Sequence, residues 1–277
     1  MELREALRAC RQWIPFASAT AAYGTMSLVL GPFTNGRASL EAMQRWCKTS
    51  TRMLKIRVDG RGVENVPAEG AFVYCSNHQS IVDIIVLGSV LPHDYKWAAK
   101  RSLMKIPFLG WHLQLAGHVP VDRGRGPAVA RAVMERFVSV LRAGKPLLVF
   151  PEGTRSASGA LQAFKVGSFY AAVRAGVPVV PVIVSGTFEL MKKGAFDTGE
   201  GDDRPVKVVV GAPIPIVRKD SERATVESLR DRTRAAMADM VRALGGAVEA
   251  VEAAADEKAL DDFTYAMRDD GYATAAE

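Results

Sequence analysis

Ala71-Phe72-Val73-Tyr74-Cys75-Ser76-Asn77-His78-Gln79-Ser80-Ile81-Val82-Asp83 changes character within thirteen residues. Ala71 to Cys75 is a short apolar and aromatic run of buried-strand type. Ser80 has the chemistry of a helix N-cap, and Ile81 to Leu87 is apolar enough to continue as a buried helix. A strand, a short polar loop and a buried helix in that order predict an α/β layer. His78 then sits in the loop and Asp83 in the first helical turn. One continuous helix would point residues five apart about 140° away from each other, so the pair meets only across this loop. Ser80-x-x-Asp83 is also a capping-box pattern, which alone would make Asp83 structural.

Outward from this stretch, Leu147-Leu148-Val149-Phe150 reads as a second buried strand leaving through Pro151-Glu152-Gly153-Thr154-Arg155-Ser156. A Pro/Gly turn presents backbone N–H groups as an anion nest, and Arg155 adds a bidentate fork suited to phosphate. Lys100 and Arg123 lie at the ends of two more candidate strands, Lys96–Ala99 and His118–Val121. Phe72–Ser76, Val179–Ser185 and Val206–Val210 complete the strand set. Helices are predicted over Ser80–Leu91, Pro127–Arg142, Val166–Ala175 and Thr225–Leu244. This alternation predicts an α/β fold, a largely parallel or mixed sheet covered by helices. Sites in such sheets gather at the carboxyl ends of strands, where His78 and the Pro151–Ser156 turn both fall.

Four segments together resemble the glycerolipid acyltransferase family, and most closely its bacterial 1-acyl-glycerol-3-phosphate branch. They are Asn77-His78-x-Ser80-x-x-Asp83, Gly117 to Arg123, Phe150 to Ser156, and Val177-Pro178-Val179-Val180-Pro181-Val182. Phe164-Lys165-x-Gly167 also fits, whereas His118 stands where that family usually has a hydrophobic residue. Order and spacing agree over residues 55–215. The resemblance implies transfer of a fatty acyl group from acyl-CoA or acyl carrier protein to the sn-2 hydroxyl of 1-acyl-glycerol-3-phosphate, giving phosphatidic acid. It implies His78 as general base with Asp83 as its partner. Lys100, Arg123, Glu152, Gly153, Thr154 and Arg155 would bind the acceptor. No cofactor is expected beyond the acyl donor as co-substrate. A related acceptor such as lyso-ornithine lipid would carry the same motifs.

A histidine with a reference pKa near 6.5 suits removal of a hydroxyl proton near neutrality. A serine hydrolase using Ser76 or Ser80 with His78 is the alternative of another class, but no G-x-S-x-G elbow exists in the chain. His78, His93, His112 and His118 form no H-E-x-x-H or Cys/His ligand set, so no metal is expected. Gly144-Lys145 lacks the first glycine of a P-loop. Cys10, Cys47 and Cys75 are odd in number and widely spaced, as reduced thiols would be.

The formal net charge of +6 hides an asymmetry. Residues 247–277 carry nine acidic and two basic residues, so the remainder carries +13. A basic body suits an anionic membrane, an anionic substrate or nucleic acid. No nucleic-acid motif accompanies it, so a basic membrane-surface binding protein is the non-enzymatic alternative. Trp13 to Phe33 is 21 residues without a charge, about 31 Å as a helix and close to the thickness of a bilayer core. Ser18, Thr20, Gly24, Thr25, Ser27 and Gly31 dilute it. A signal peptide with Ala19-Thr20-Ala21 as its cleavage site and a buried soluble helix are the competing readings, the former opposed by Glu2 and Glu5.

Beyond this run, Leu40, Met43, Cys47 and Leu54 mark an apolar helix face, and Arg45, Lys48, Arg52 and Lys55 a basic stripe, the pattern of a helix lying on an anionic bilayer. The expected organisation is therefore a membrane-docking helical pair over 1–57, a catalytic domain over 58–246 and an acidic tail over 247–277. The expected partners are the anionic lysophospholipid, the acyl donor, membrane lipids and acyl carrier protein, without nucleic acid. The expected place is the inner cell membrane with the catalytic domain on its cytoplasmic side.

Overall fold

A computed structural model describes residues 3–121, 127–190 and 205–250. Arg123 and most of the acidic tail lie outside the described residues. Seven strands form one sheet in the order β1-β7-β6-β2-β5-β3-β4. They are β1 Val58–Arg61, β2 Val73–Ser76, β3 Lys96–Lys100, β4 Val119–Val121, β5 Leu147–Val149, β6 Val179–Ser185 and β7 Val206–Val210. β6, β2, β5, β3 and β4 run parallel, while β7 is antiparallel to β6 and parallel to β1. The sheet is mixed and mostly parallel, as the alternation of elements predicts.

Each of the six predicted strands is present within a residue of its expected ends. β1 is an addition. Its sequence, Val58-Asp59-Gly60-Arg61, has no apolar run because it is a half-covered edge strand held by pairing with β7. The inner strands are the opposite case. All three residues of β5 and all four of β2 are buried, so their sequences read as unbroken apolar stretches.

The helices are α1 Leu3–Leu30, α2 Arg37–Met53, α3 Asp83–Val90, α4 Leu109–Leu115, α5 Pro127–Arg142, α6 Gly167–Ala175, α7 Thr187–Leu190 and α8 Glu222–Ala243. α3 begins three residues later than expected, with Val82 at its N-cap position, and the Ser80 N–H ahead of it donates to the Asp83 carboxylate. On the sheet face formed by Phe72, Tyr74 and Leu148, the core continues into Val86 and Leu87 of α3 and into Met43, Trp46 and Cys47 of α2. The other face packs α5, α6 and α8 over Val73, Cys75, Leu147 and Val149.

The apolar face read in α2 is thus turned into the protein. Met43, Cys47 and Leu54 are buried there, each such side chain contributing about 1.5–3 kcal/mol when fully covered. The basic stripe of Arg45, Lys48, Arg52 and Lys55 faces outward as expected. Among the described residues no helix is long and apolar enough to cross a membrane. At the far end of the chain, Leu161 N–H donates to Ala247 O at 3.0 Å and Glu249 N–H donates to Leu161 O at 2.9 Å. The first residues of the acidic segment therefore lie beside the loop that precedes α6.

Candidate active site

β2, β5, β3 and β4 are parallel neighbours, so their carboxyl ends open on one edge of the sheet. Cys75 pairs with Val149 and Trp97 with Leu148. Following that register, Asn77-His78 leaves β2, Phe150-Pro151 leaves β5 and Lys100 ends β3 on the same edge. Two strand spacings put the Lys100 backbone about 10 Å from β2. Arg123, just beyond β4, lies outside the described residues.

The loop after β2 is pinned before it reaches His78. The Asn77 amide behaves as an extra rung of the sheet: its Nδ2 donates to Val184 O at 2.8 Å and its Oδ1 accepts from Val184 N at 2.7 Å. His78 O accepts from Ser156 N at 2.8 Å, which ties this loop to the turn after β5. The His78 ring stacks on Phe150, with centroids 4.0 Å apart and planes inclined by 16°. One ring face and the backbone are thereby restrained.

Asp83 is fully buried and its two oxygens are densely bonded. Oδ2 accepts from Gln79 N at 2.8 Å and Ser80 N at 2.9 Å, and lies 2.8 Å from His78 Nδ1. Oδ1 accepts from Thr187 Oγ1 at 2.6 Å. One Asp83 oxygen therefore serves the loop N–H groups and the histidine ring together. A carboxylate can only accept, so the proton of neutral His78 belongs on Nδ1 and the Nε2 lone pair is left for a substrate proton. Eleven per cent of the His78 side chain reaches the surface.

The turn after β5 forms around Gly153, which has a positive φ of 74°. That backbone conformation favours glycine, and a Cβ there would fall 2.8 Å from Lys165 Cε and Nζ, so the lysine side chain lies directly over the turn. Lys165 N donates to Pro151 O at 2.8 Å and its side chain crosses the turn. Lys165 is a cation at the site that sequence reading placed only within a motif match. Arg155 is half-buried on the same turn and has no hydrogen-bond or ion-pair partner among the described residues. Thr154 sits between, its carbonyl 3.3 Å from Gln162 Nε2.

Glu152 takes a different place from its neighbours. It is buried, accepting from His78 N at 3.3 Å through Oε1 and from Gln162 Nε2 at 2.5 Å through Oε2. Burial pushes its carboxyl up to about 8, the Gln162 and His78 hydrogen bonds opposing this and the nearby Asp83 charge adding to it. Its contacts hold the His78 backbone to the Arg155 turn. Gln162 and Thr187 carried no signal in sequence, since both act through contacts distant along the chain. Ser76 and Ser80, the two candidate nucleophiles of the hydrolase alternative, are both fully buried, and the Ser76 hydroxyl donates to Asn77 O at 3.1 Å.

Residues 57–185 match the acyltransferase family model. A 1-acyl-sn-glycerol-3-phosphate acyltransferase of Pseudomonas aeruginosa is 31% identical over 187 residues, covering 66% of this chain and 72% of that protein. The chain belongs to the acyltransferase family. Among other members, a chloroplastic 1-acyl-sn-glycerol-3-phosphate acyltransferase of Brassica napus is 38% identical over 57% of this chain and 45% of its own length. The yeast enzyme of the same name is 32% identical over 70% of this chain and 62% of its own. The matched part thus spans under half of the plant relative and less than two thirds of the yeast one. Among solved structures, the 1-acyl-sn-glycerophosphate acyltransferase PlsC of Thermotoga maritima superposes with a TM-score of 0.72 at 26% identity, covering 86% of this chain and 96% of that one. Its acyltransferase fold agrees with the mixed sheet and flanking helices described above.

Proposed function

We propose that this chain transfers a fatty acyl group from a thioester donor, acyl-CoA or acyl carrier protein, to the sn-2 hydroxyl of 1-acyl-sn-glycerol-3-phosphate, yielding phosphatidic acid. The observation that carries the reading is the His78–Asp83 pair set on one sheet edge with the Gly153–Arg155 turn and Lys100. The names of the Pseudomonas, yeast and plant relatives support the acceptor.

In this reading His78 Nε2 accepts the hydroxyl proton as the oxygen attacks the thioester carbonyl. Asp83 holds the tautomer and stabilises the imidazolium as it forms. The tetrahedral intermediate collapses, the carbon–sulfur bond breaks, and the departing thiolate recovers the proton from His78. No acyl-enzyme is needed because the thiolate leaves readily. Arg155, Lys165 and Lys100 receive the acceptor's phosphate, and Arg123 is assigned the same task from its place after β4.

The acceptor is a membrane lipid, so the same reading puts the chain on the inner membrane surface with the catalytic edge on the cytoplasmic side. The outward stripe of Arg45, Lys48, Arg52 and Lys55 supports it, each basic group near an anionic surface contributing about 1 kcal/mol. The test is a panel of lysolipids supplied with labelled acyl-CoA and acyl carrier protein to the purified full chain. Preferential acylation of 1-acyl-glycerol-3-phosphate is expected. Faster acylation of a lysolipid without phosphate, such as lyso-ornithine lipid, would overturn the assignment of acceptor.

A further inference from the structure

The apolar face of α2 is buried, so any lipid-contacting apolar surface must come from elsewhere. α1 ends in one: Leu30 is half-exposed and Phe33, just after the helix, is 86% exposed. Against this end lies α4. A carbon added at Gly31 would come within 3.2 Å of Leu115 Cδ2, which places the Leu115 side chain beside the Leu30–Phe33 segment. Trp111 precedes Leu115 by four residues and shares its helix face. Trp111 and Leu115 are 49% and 43% exposed, and Ile106, in the turn ahead of α4, is exposed as well. Three large side chains outside α1 thus extend its apolar end. Isolated exposed apolar residues are ordinary, but a contiguous group of this kind marks an interaction surface.

Charge identifies what the surface meets. Residues 6–40 contain no Asp or Glu, and neither do residues 95–121. Every formal charge in the two segments that build the patch is therefore positive. Arg37, Arg101 and Lys105 are exposed at its margins. An apolar centre with a tryptophan, set in segments whose own charges are all positive, with Glu41 one turn beyond Arg37 paired to Arg45, is the complement of an anionic bilayer surface. The surface also joins the site directly. Lys100 ends β3, and the chain runs from it through Arg101–Lys105 to Ile106 and α4.

We infer that α4 and the turn before it form a second lipid-contacting surface, continuous with the end of α1, which brings an anionic bilayer to the Lys100 edge of the sheet. A lysolipid reaches that edge from the bilayer without first entering water. This rests on the acyl-transfer reading for its consequence, though not for the lipid contact itself.

The experiment uses the full chain and vesicles of phosphatidylethanolamine with about one third phosphatidylglycerol. Flotation of Trp111→Ser/Leu115→Ser and of Phe33→Ser is compared with wild type and with Val217→Ser, which removes an equally exposed apolar residue between β7 and α8. Partition of the double variant should weaken about tenfold or more, while Val217→Ser partitions as wild type. The apparent KM for vesicle-borne acceptor should rise, and turnover of a short-chain, water-dispersed acceptor should stay within about twofold. Unchanged flotation of the double variant would overturn the inference. So would a defect confined to a donor carried on a protein, which would make the patch a protein-docking surface. Absence of acyl transfer to the dispersed acceptor in wild type would overturn the proposed reaction, and flotation would still test the patch.

Discussion

Thr187 Oγ1 donates to Asp83 Oδ1 at 2.6 Å, although the two residues are 104 positions apart. Thr187 opens α7 at the end of β6, so the sheet itself delivers the hydroxyl that fixes the free oxygen of the histidine's partner. Thr187→Val keeps the shape and removes the donor. Losing a hydrogen bond to a buried carboxylate costs about 1.5–3 kcal/mol. We expect a lower unfolding midpoint and a fall in kcat, with Thr187→Ser restoring both. A Thr187→Val enzyme with wild-type kcat would show that Oδ1 needs no partner.

Glu152 yields a pH dependence of stability. Its folded carboxyl is raised to about 8 from an ordinary 4.5. A group shifted in this direction contributes stability that is complete below the unfolded value and is lost as pH rises through the folded one. Wild type should therefore lose stability between about pH 4.5 and pH 8 relative to Glu152→Gln, which has no proton to lose. Denaturant titrations at several pH values check it. Parallel curves for the two proteins would mean that Glu152 is ionised throughout.

Arg155 should act on the acceptor before chemistry begins. Breaking a charge-assisted fork removes binding shared by ground state and transition state, so Arg155→Ala should raise the acceptor KM about 10- to 100-fold with kcat nearly kept. The KM for the acyl donor should change little. A donor-specific loss would place the thioester, not the phosphate, on this turn.

The parts of the fold legible in sequence are those whose signal is local. β2, β5 and β6 are buried on both faces and read as continuous apolar runs. β1 escapes because an edge strand of Val-Asp-Gly-Arg is defined by its neighbour, not by its own pattern. α2 illustrates a different limit. Its apolar and basic faces are plain in the spacing of Met43, Cys47, Arg45 and Lys48, yet amphipathicity does not say whether the apolar face meets lipid or protein. Here it meets the core. At the site, His78 and Asp83 share one loop and were legible together. Gln162 and Thr187 were not, because their contacts join segments whose sequences carry no common period. Glu152 was visible as a motif residue, but only its burial distinguishes holding the His78 backbone from facing the phosphate.

The central claim is that His78, oriented by Asp83, removes the acceptor's proton, and kcat of His78→Ala in the full chain tests it most directly. The account predicts a fall of about 10²- to 10⁴-fold with acceptor binding and cooperative unfolding retained. Asp83 keeps its Gln79, Ser80 and Thr187 donors in that variant, so the loop has the means to stay folded. A folded His78→Ala protein that turns over at near the wild-type rate would contradict the account.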